Sequence, residues 1–264
     1  MSTPSKWGDL APRLMSGAVM AAGGALVVWA GGLWFAALAV VAGGLMIWEL
    51  AAMTDPARPR ESVAIGLVAA LALAVVFWQH SPYLLPVLAI APLFGLLRPA
   101  RPMRVAFAVY AAVIVIAAYG LVAFREGYGL LWLLWLILVV VVTDIAGYFA
   151  GRMIGGPKFW PKVSPKKTWA GVIAGWVAAA VVGLGFLRIS SAGIDLLWIS
   201  ALLSFASQLG DIAESAIKRR AGVKDSSRLI PGHGGLLDRF DGLLGAALFM
   251  LAVAQVVDVP WVRF

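Results

Sequence analysis

The chain alternates apolar stretches long enough to cross a bilayer with short connections that hold nearly all of its charge. That alternation leaves few folds open. A helix needs about 20 mostly apolar residues to cross the hydrocarbon layer. Such stretches recur at about 13–31, 32–53, 63–79, 83–97, 104–124, 129–150, 168–188, 193–213 and 237–258. They lack the two-residue apolar/polar alternation of an outer-membrane strand. The spacing therefore predicts an all-α, polytopic integral membrane protein with about nine transmembrane helices, forming a single membrane domain over 1–264. Composition agrees: 62% of the residues are hydrophobic and 13% charged, where a soluble domain carries about a quarter charged residues. The fourth stretch is short and contains Pro86 and Pro92, so a kink is expected there.

Charge placement orients the spans. With a cytoplasmic N-terminus, eighteen of the 21 Lys and Arg residues fall on the inner side and only Arg125, Arg188 and Arg263 on the outer side. This is a strong positive-inside bias, and an odd number of spans then places the C-terminus, Asp258 to Phe264, outside. The opening MSTPSKWGDLAPRL lacks the plan of a cleaved secretory signal, so the first span is expected to be retained. With no cysteine, disulfides, thiolate metal sites and cysteine nucleophiles are excluded. The net charge of +8 points to anionic partners such as lipid headgroups or phosphates. Glycines paired with small residues, such as Gly17, Gly23 and Gly43-Gly44, suit close helix packing; they permit a homodimer without requiring one. Trp29, Trp34, Trp48, Trp78 and Trp198 lie near span ends, as interfacial anchors do.

Residues 1–128 read as N-terminal helices of scaffold type. Residues 129–258 read as catalytic helices with cytoplasmic loops at 151–167 and 214–236. The stretch from Gln208 to Gly242 concentrates Asp211, Glu214, Asp225, Asp238 and Asp241 with six basic residues and His233. Charge that dense between apolar spans calls for something to bind. On a helix Asp211, Ser215 and Lys218 share one face, with Glu214 beside them. Asp238 and Asp241, at i and i+3, share a face at the start of the last span. Three carboxylates, Asp211, Asp238 and Asp241, from two helices that end at one membrane face would suit a hard cation. Oxygen ligands of this kind fit Mg²⁺, as one or two ions, held jointly with substrate phosphates.

Between the two helices the run Ile230-Pro-Gly-His-Gly-Gly forces a turn, whose backbone N–H groups at Gly234 and Gly235 could cradle a phosphate. Lys218, Arg219, Lys224 and Arg239 would supply cations for phosphate oxygens. His233 reads equally as a phosphate- or proton-handling group and as a structural turn residue. Within the sixth span, Asp144, Tyr148 and Arg152 share a face, and an intramembrane acid is a functional candidate. The loop that follows ends in Ser164-Pro-Lys-Lys-Thr168. There Lys166 and Lys167 would suit an anionic nucleotide, and Thr168 suits a helix cap. The first five spans carry almost no buried charge apart from Glu49.

These motifs together resemble the signature of the phosphatidate cytidylyltransferase (CDP-diacylglycerol synthase) family. The resemblance lies in Ser215-x-x-Lys218-Arg219, Lys224-Asp225 and Pro231-Gly-His233-Gly234-Gly235-x-x-Asp238-Arg239-x-Asp241. It extends to Asp144-x-x-x-Tyr148-x-x-Gly151-Arg152 and the Ser164–Thr168 run, and so covers about 144–242. One departure is Ala170, where the family usually has Glu. The resemblance implies condensation of CTP with phosphatidic acid to CDP-diacylglycerol and pyrophosphate, with Mg²⁺. It also implies a bacterial-type inner (plasma) membrane setting, a site facing the cytoplasm and no nucleic-acid partner. In that reaction Lys218, Asp225, Asp238 and Asp241 would be catalytic, and Asp211, Asp238 and Asp241 would bind metal. Asp144, Lys166, Lys167, Ser215, Arg219, Lys224, His233, Gly234, Gly235 and Arg239 would line the substrate pocket, and Asp225 would orient Lys224 or a metal-bound water. Two other readings stay open. A CTP-dependent lipid or prenol kinase would release CDP instead of pyrophosphate, and a cation-coupled transporter would use Asp144 and Asp211 as ion sites.

Overall fold

The computed structural model describes residues 10–79 and 81–258. Lys6, Arg263, the side chain of Arg13 and the expected external segment beyond Asp258 lie outside the described residues. The chain runs α1 (Leu10–Ala30), α2 (Gly32–Thr54), α3 (Pro59–Gln79), a 3-10 segment (Pro82–Ala89) and α4 (Ile90–Leu96). It continues with α5 (Arg104–Met153), a hairpin of β1 (Lys158–Trp160) and β2 (Ser164–Thr168), α6 (Trp169–Leu187), α7 (Leu196–Arg220) and α8 (Leu237–Val253). Five helices, α2, α3, α5, α6 and α7, are long and apolar enough to cross a membrane. Large apolar side chains such as Leu33, Trp34, Leu67 and Val181 are 62 to 74% exposed, a surface that suits lipid and would be a liability in water. This is the architecture of a multi-pass, essentially all-α membrane protein.

Three local features differ from the expectation. The stretch at 83–97 is not one helix. Pro86 lies inside the 3-10 segment, where it cannot donate to an α-helical ladder, and only the seven residues of α4 follow. Helix α7 runs seven residues past 213, so the expected 214–236 excursion starts as helix. An i,i+4 pair of Glu214 and Lys218 and a basic last turn of Lys218, Arg219 and Arg220 support that extension at the negative end of the helix dipole. The 151–167 loop contains the antiparallel hairpin, in which Lys158 pairs with Thr168 and Trp160 with Ser164.

The 50-residue α5 would extend about 75 Å if straight, more than twice the hydrocarbon thickness. It bends at Gly129, with φ 87° and ψ 179°, a conformation essentially confined to glycine. The bend divides it into the two arms expected at 104–124 and 129–150.

The chain forms two compact units, Met1–Val115 with Val223–Arg239 and Ile116–Gly222 with Phe240–Phe264. The first joins the N-terminal helices with much of the charged loop. In it α2 and α3 meet backbone to backbone: a Cβ added at Gly66 would lie 2.8 Å from Gly44 O and from Trp48 Cβ. Trp29, Trp34 and Trp78 face outward, 70 to 77% exposed, whereas Trp48 packs in this contact. Arg101 is buried below α2: its guanidinium donates to Ala51 O at 3.0 Å, pairs with Glu61 at 3.3 Å and lies 4.2 Å over the Phe107 ring. Burial pushes this guanidinium down from its ordinary value, and Asp55 and Glu61 oppose that push.

In the second unit the C-terminal arm of α5, α6, α7 and α8 enclose a core of Trp132, Trp135, Leu136, Val139, Leu203, Ala246 and Met250. One stripe of α7 is polar yet buried. Trp135 Nε1 donates to Ser200 Oγ at 3.1 Å, Thr143 Oγ1 to Ser204 Oγ at 2.8 Å, and Trp176 Nε1 to Gln208 Oε1 at 3.1 Å. Small residues admit α8: a Cβ at Gly245 would lie 2.2 Å from Ala206 O.

The α2–α3 contact gives a stability prediction. Gly66→Val overpacks it against backbone and should lower stability by about 1–3 kcal/mol, read as a lower thermal midpoint in detergent. A wild-type midpoint would mean that this contact is not close-packed.

Candidate active site

In the second unit, the C-terminal arm of α5 brings Asp144, Tyr148 and Arg152 to one side of a cleft, and β2 brings Lys166 and Lys167 to another. Helix α7 contributes Gln208 and Asp211. The cleft holds about 410 Å³, within the range of small-molecule sites. The local reasons are simple. Strand β2 runs directly into α6, whose first turn is capped by Thr168: its hydroxyl accepts from Gly171 N at 3.2 Å. Lys167 is therefore fixed one residue before the cap. Helices α5 and α6 approach closely at Gly147 and Gly171, where a Cβ on Gly171 would lie 2.6 Å from Gly147 O. Ala170, the departure from the family pattern, sits in this first turn of α6.

The centre of the cleft is an ion pair. Lys167 Nζ donates to Asp211 Oδ2 at 2.6 Å and to Gln208 O at 3.2 Å, and Ser215 Oγ donates to Asp211 Oδ1 at 3.4 Å. Both side chains keep some solvent access, 20% for Lys167 and 35% for Asp211, so the pair is open to a ligand. At the rim, Arg152 donates to the Tyr148 hydroxyl at 2.8 Å. The second unit also holds Asp241. The α7–α8 crossing places its backbone O 2.3 Å from where a Cβ on Gly210 would sit, and Asp211, Lys218 and Asp144 lie within electrostatic reach of it. Its Oδ1 accepts from Gly242 N at 2.7 Å.

This donor set bears on Mg²⁺. Among the described residues no three His, Asp or Glu side chains form a ready-made metal cage. Mg²⁺ is usually held by one or two carboxylates together with substrate phosphates, and Asp144 and Asp211 in one cleft, with Asp241 near, fit that mode. Lys218 is placed differently from the expected phosphate ligand: it is buried, and its ammonium pairs with the fully buried Glu214. Arg219 is exposed at the end of α7.

The remaining expected site residues, Lys224, Asp225, His233, Gly234, Gly235, Asp238 and Arg239, belong to the first unit. The turn is closed by Ile230 N donating to Gly234 O at 2.8 Å and His233 N to Ile230 O at 3.0 Å. The His233 ring lies against α1, 3.7 Å from where a Cβ on Gly17 would be. Lys224, Asp225 and Arg239 are exposed. Asp238 is buried and closes the loop: its Oδ2 accepts from Ser226 N at 2.9 Å, Ser226 Oγ at 3.0 Å and Gly235 N at 2.8 Å.

A residue absent from the sequence-based site lies at the base of this loop. Glu49 of α2 is fully buried. Its Oε1 accepts from Leu236 N at 2.8 Å and Ser227 Oγ at 2.6 Å; its Oε2 accepts from Leu237 N at 2.7 Å and Ser226 Oγ at 3.2 Å. Ser226 has one hydroxyl hydrogen, shared between Glu49 and Asp238. The only sequence signal was an acid inside an apolar span.

The chain is similar to several known proteins. Over 140 residues the chain is 48% identical to the phosphatidate cytidylyltransferase of Brucella suis biovar 1, covering 51% of this chain and 52% of the relative. It is 46% identical over 137 residues to that of Brucella abortus biovar 1, covering 51% of each. With the phosphatidate cytidylyltransferase of Staphylococcus haemolyticus it shares 44% over 119 residues, 44% of this chain and 46% of the relative. The matched region thus spans about half the length of these curated relatives. The match to the Cytidylyltransferase family extends much further, over residues 11–257, and the chain therefore belongs to that family.

Proposed function

We propose that this chain is a phosphatidate cytidylyltransferase. It condenses CTP with phosphatidic acid to CDP-diacylglycerol and pyrophosphate. The observation that carries the proposal is the Lys167–Asp211 pair in a cleft whose walls add Asp144, Arg152 and Lys166, a combination of fixed cations and carboxylates suited to a triphosphate and a hard metal ion. The relatives' names supply the choice of nucleotide and lipid.

In the proposed reaction a phosphate oxygen of phosphatidic acid forms a bond to the α-phosphorus of CTP. The bond from that phosphorus to the α–β bridging oxygen breaks, and its electron pair leaves with pyrophosphate. The attacking oxygen is already anionic, so no protein nucleophile or strong general base is needed. The residues act by positioning and by neutralising charge. Lys166, Lys167 and Arg152 hold phosphate oxygens. Arg219, exposed at the end of α7, adds a further cation in the second unit; within the first unit Asp225 would orient Lys224. Asp211, with Asp144 and Asp241, would hold Mg²⁺, which supplies charge neutralisation on the triphosphate. Lys167 keeps the Asp211 carboxylate aimed into the cleft between turnovers.

The proposal includes a nine-span topology with a cytoplasmic N-terminus, an external C-terminus and the site at the cytoplasmic face of a bacterial-type inner membrane. The acyl chains then stay in the bilayer while the headgroup meets a soluble nucleotide. A homodimer is compatible with the small-residue helix faces; nucleic acid is not a partner.

Three outcomes are expected. Purified protein given phosphatidic acid, Mg²⁺ and CTP labelled at the α-phosphorus should transfer the label to lipid and release pyrophosphate, and EDTA should stop it. Label in free CDP with a newly phosphorylated lipid would move the chain to the kinases. Asp211→Asn should lower kcat by at least about a hundredfold while the detergent-solubilised protein keeps its helical circular dichroism; near-wild-type turnover would remove Asp211 from the site. A reporter fused to the C-terminus should be accessible only from outside the membrane, and cytoplasmic exposure would overturn the span count.

A further inference from the structure

We infer that Glu49 is a positioning residue for the reaction, the internal anchor that holds the 226–238 loop in its working shape. The inference rests on the proposed reaction only in that the loop carries His233 and Asp238 and is flanked by Asp225 and Arg239; the anchoring itself stands on geometry within the first unit. An acid buried in an apolar helix is costly unless it is matched. Among the described residues, the donors to Glu49 come from Ser226, Ser227, Leu236 and Leu237, that is, from the loop and the first residue of α8. These donors fill the acceptor capacity of a carboxylate, about four lone-pair sites.

The arrangement is selective for a carboxylate. Each oxygen faces one backbone N–H, Leu236 N on one side and Leu237 N on the other. A glutamine, whichever way its amide turns, points an NH₂ group at a backbone N–H and leaves that donor buried and unmatched. Space is shaped to the same end: a Cβ at Gly235 would lie 2.0 Å from Ser226 Oγ and 2.7 Å from Glu49 Oε1. The absence of a side chain at 235 is therefore what admits the carboxylate under the loop. Because Ser226 bridges Glu49 and Asp238, loss of Glu49 also loosens the seat of Asp238. A misplacement of about 1 Å in such a loop can cost on the order of a hundredfold in rate.

The test uses full-length protein in detergent and reads hydrogen exchange as well as turnover. In Glu49→Gln, exchange of the peptide spanning 226–238 should rise at least tenfold while peptides from α2, α3 and α6 stay at wild-type rates, and kcat/KM for CTP should fall about ten- to a hundredfold. Ser227→Ala, which keeps the carboxylate and removes one donor, should lie between wild type and Glu49→Gln on both scales. Two results would overturn the inference. One is loop exchange unchanged in Glu49→Gln although wild-type protein makes CDP-lipid, which leaves the reaction standing and removes the anchor. The other is faster exchange throughout α2 and α3 with no local effect in Ser227→Ala, which makes Glu49 a general packing residue. A loop that opens in Glu49→Gln while wild-type protein makes no CDP-lipid would support the anchor and overturn the reaction instead.

Discussion

A charge carried into an apolar chain must meet its partner inside the chain, and much of this structure follows from that requirement. In the first unit Arg101 is matched by Glu61 and a helix-end carbonyl, and Glu49 by the loop. In the second, Glu214 meets Lys218 and Asp211 meets Lys167. Removing one member of a buried pair typically costs about 3–5 kcal/mol, because the other charge is left unmatched. Those that join separate segments, unlike Glu214–Lys218 within α7, therefore restrict which elements can be neighbours more strongly than the apolar surface does, since apolar faces tolerate many partners in lipid. Among them Lys167–Asp211 differs in keeping solvent access on both sides. That difference marks it as the place where a ligand can enter the electrostatic exchange.

Legibility in the sequence tracked the range of the interaction. Helices α2, α3 and α6 lie close to the stretches expected at 32–53, 63–79 and 168–188, because span length is a local property of hydropathy. The cap at Thr168 and a division between 104–124 and 129–150 were readable for the same reason: each depends on a few neighbouring residues. The convergence of Asp144, Lys166, Lys167 and Asp211 was legible as a set of motifs but not as a geometry. What escaped was long-range. The donors to Glu49 lie 177 to 188 residues away, and no spacing rule connects an acid in the second span to a turn before the last. The fixed position of Asp238 escaped likewise, since its partners are set by how the turn closes. The hairpin at 158–168 was missed because its strands are short, charged and contain Pro165, which is unlike an ordinary strand.

Helix α7 has a consequence for how the protein is made. Ser200, Ser204 and Gln208 lie on one stripe, satisfied by Trp135, Thr143 and Trp176 from α5 and α6, and α7 is the least apolar of the five long spans. Facing lipid alone, the Gln208 amide would lose its partners on α6, whereas Ser200 Oγ could still donate to Leu196 O at 2.6 Å within α7. The segments that satisfy them precede it in the chain and leave the ribosome first. The order of synthesis therefore places the partners of this polar stripe in the chain before α7 itself, so α7 need not wait for a later segment to satisfy it.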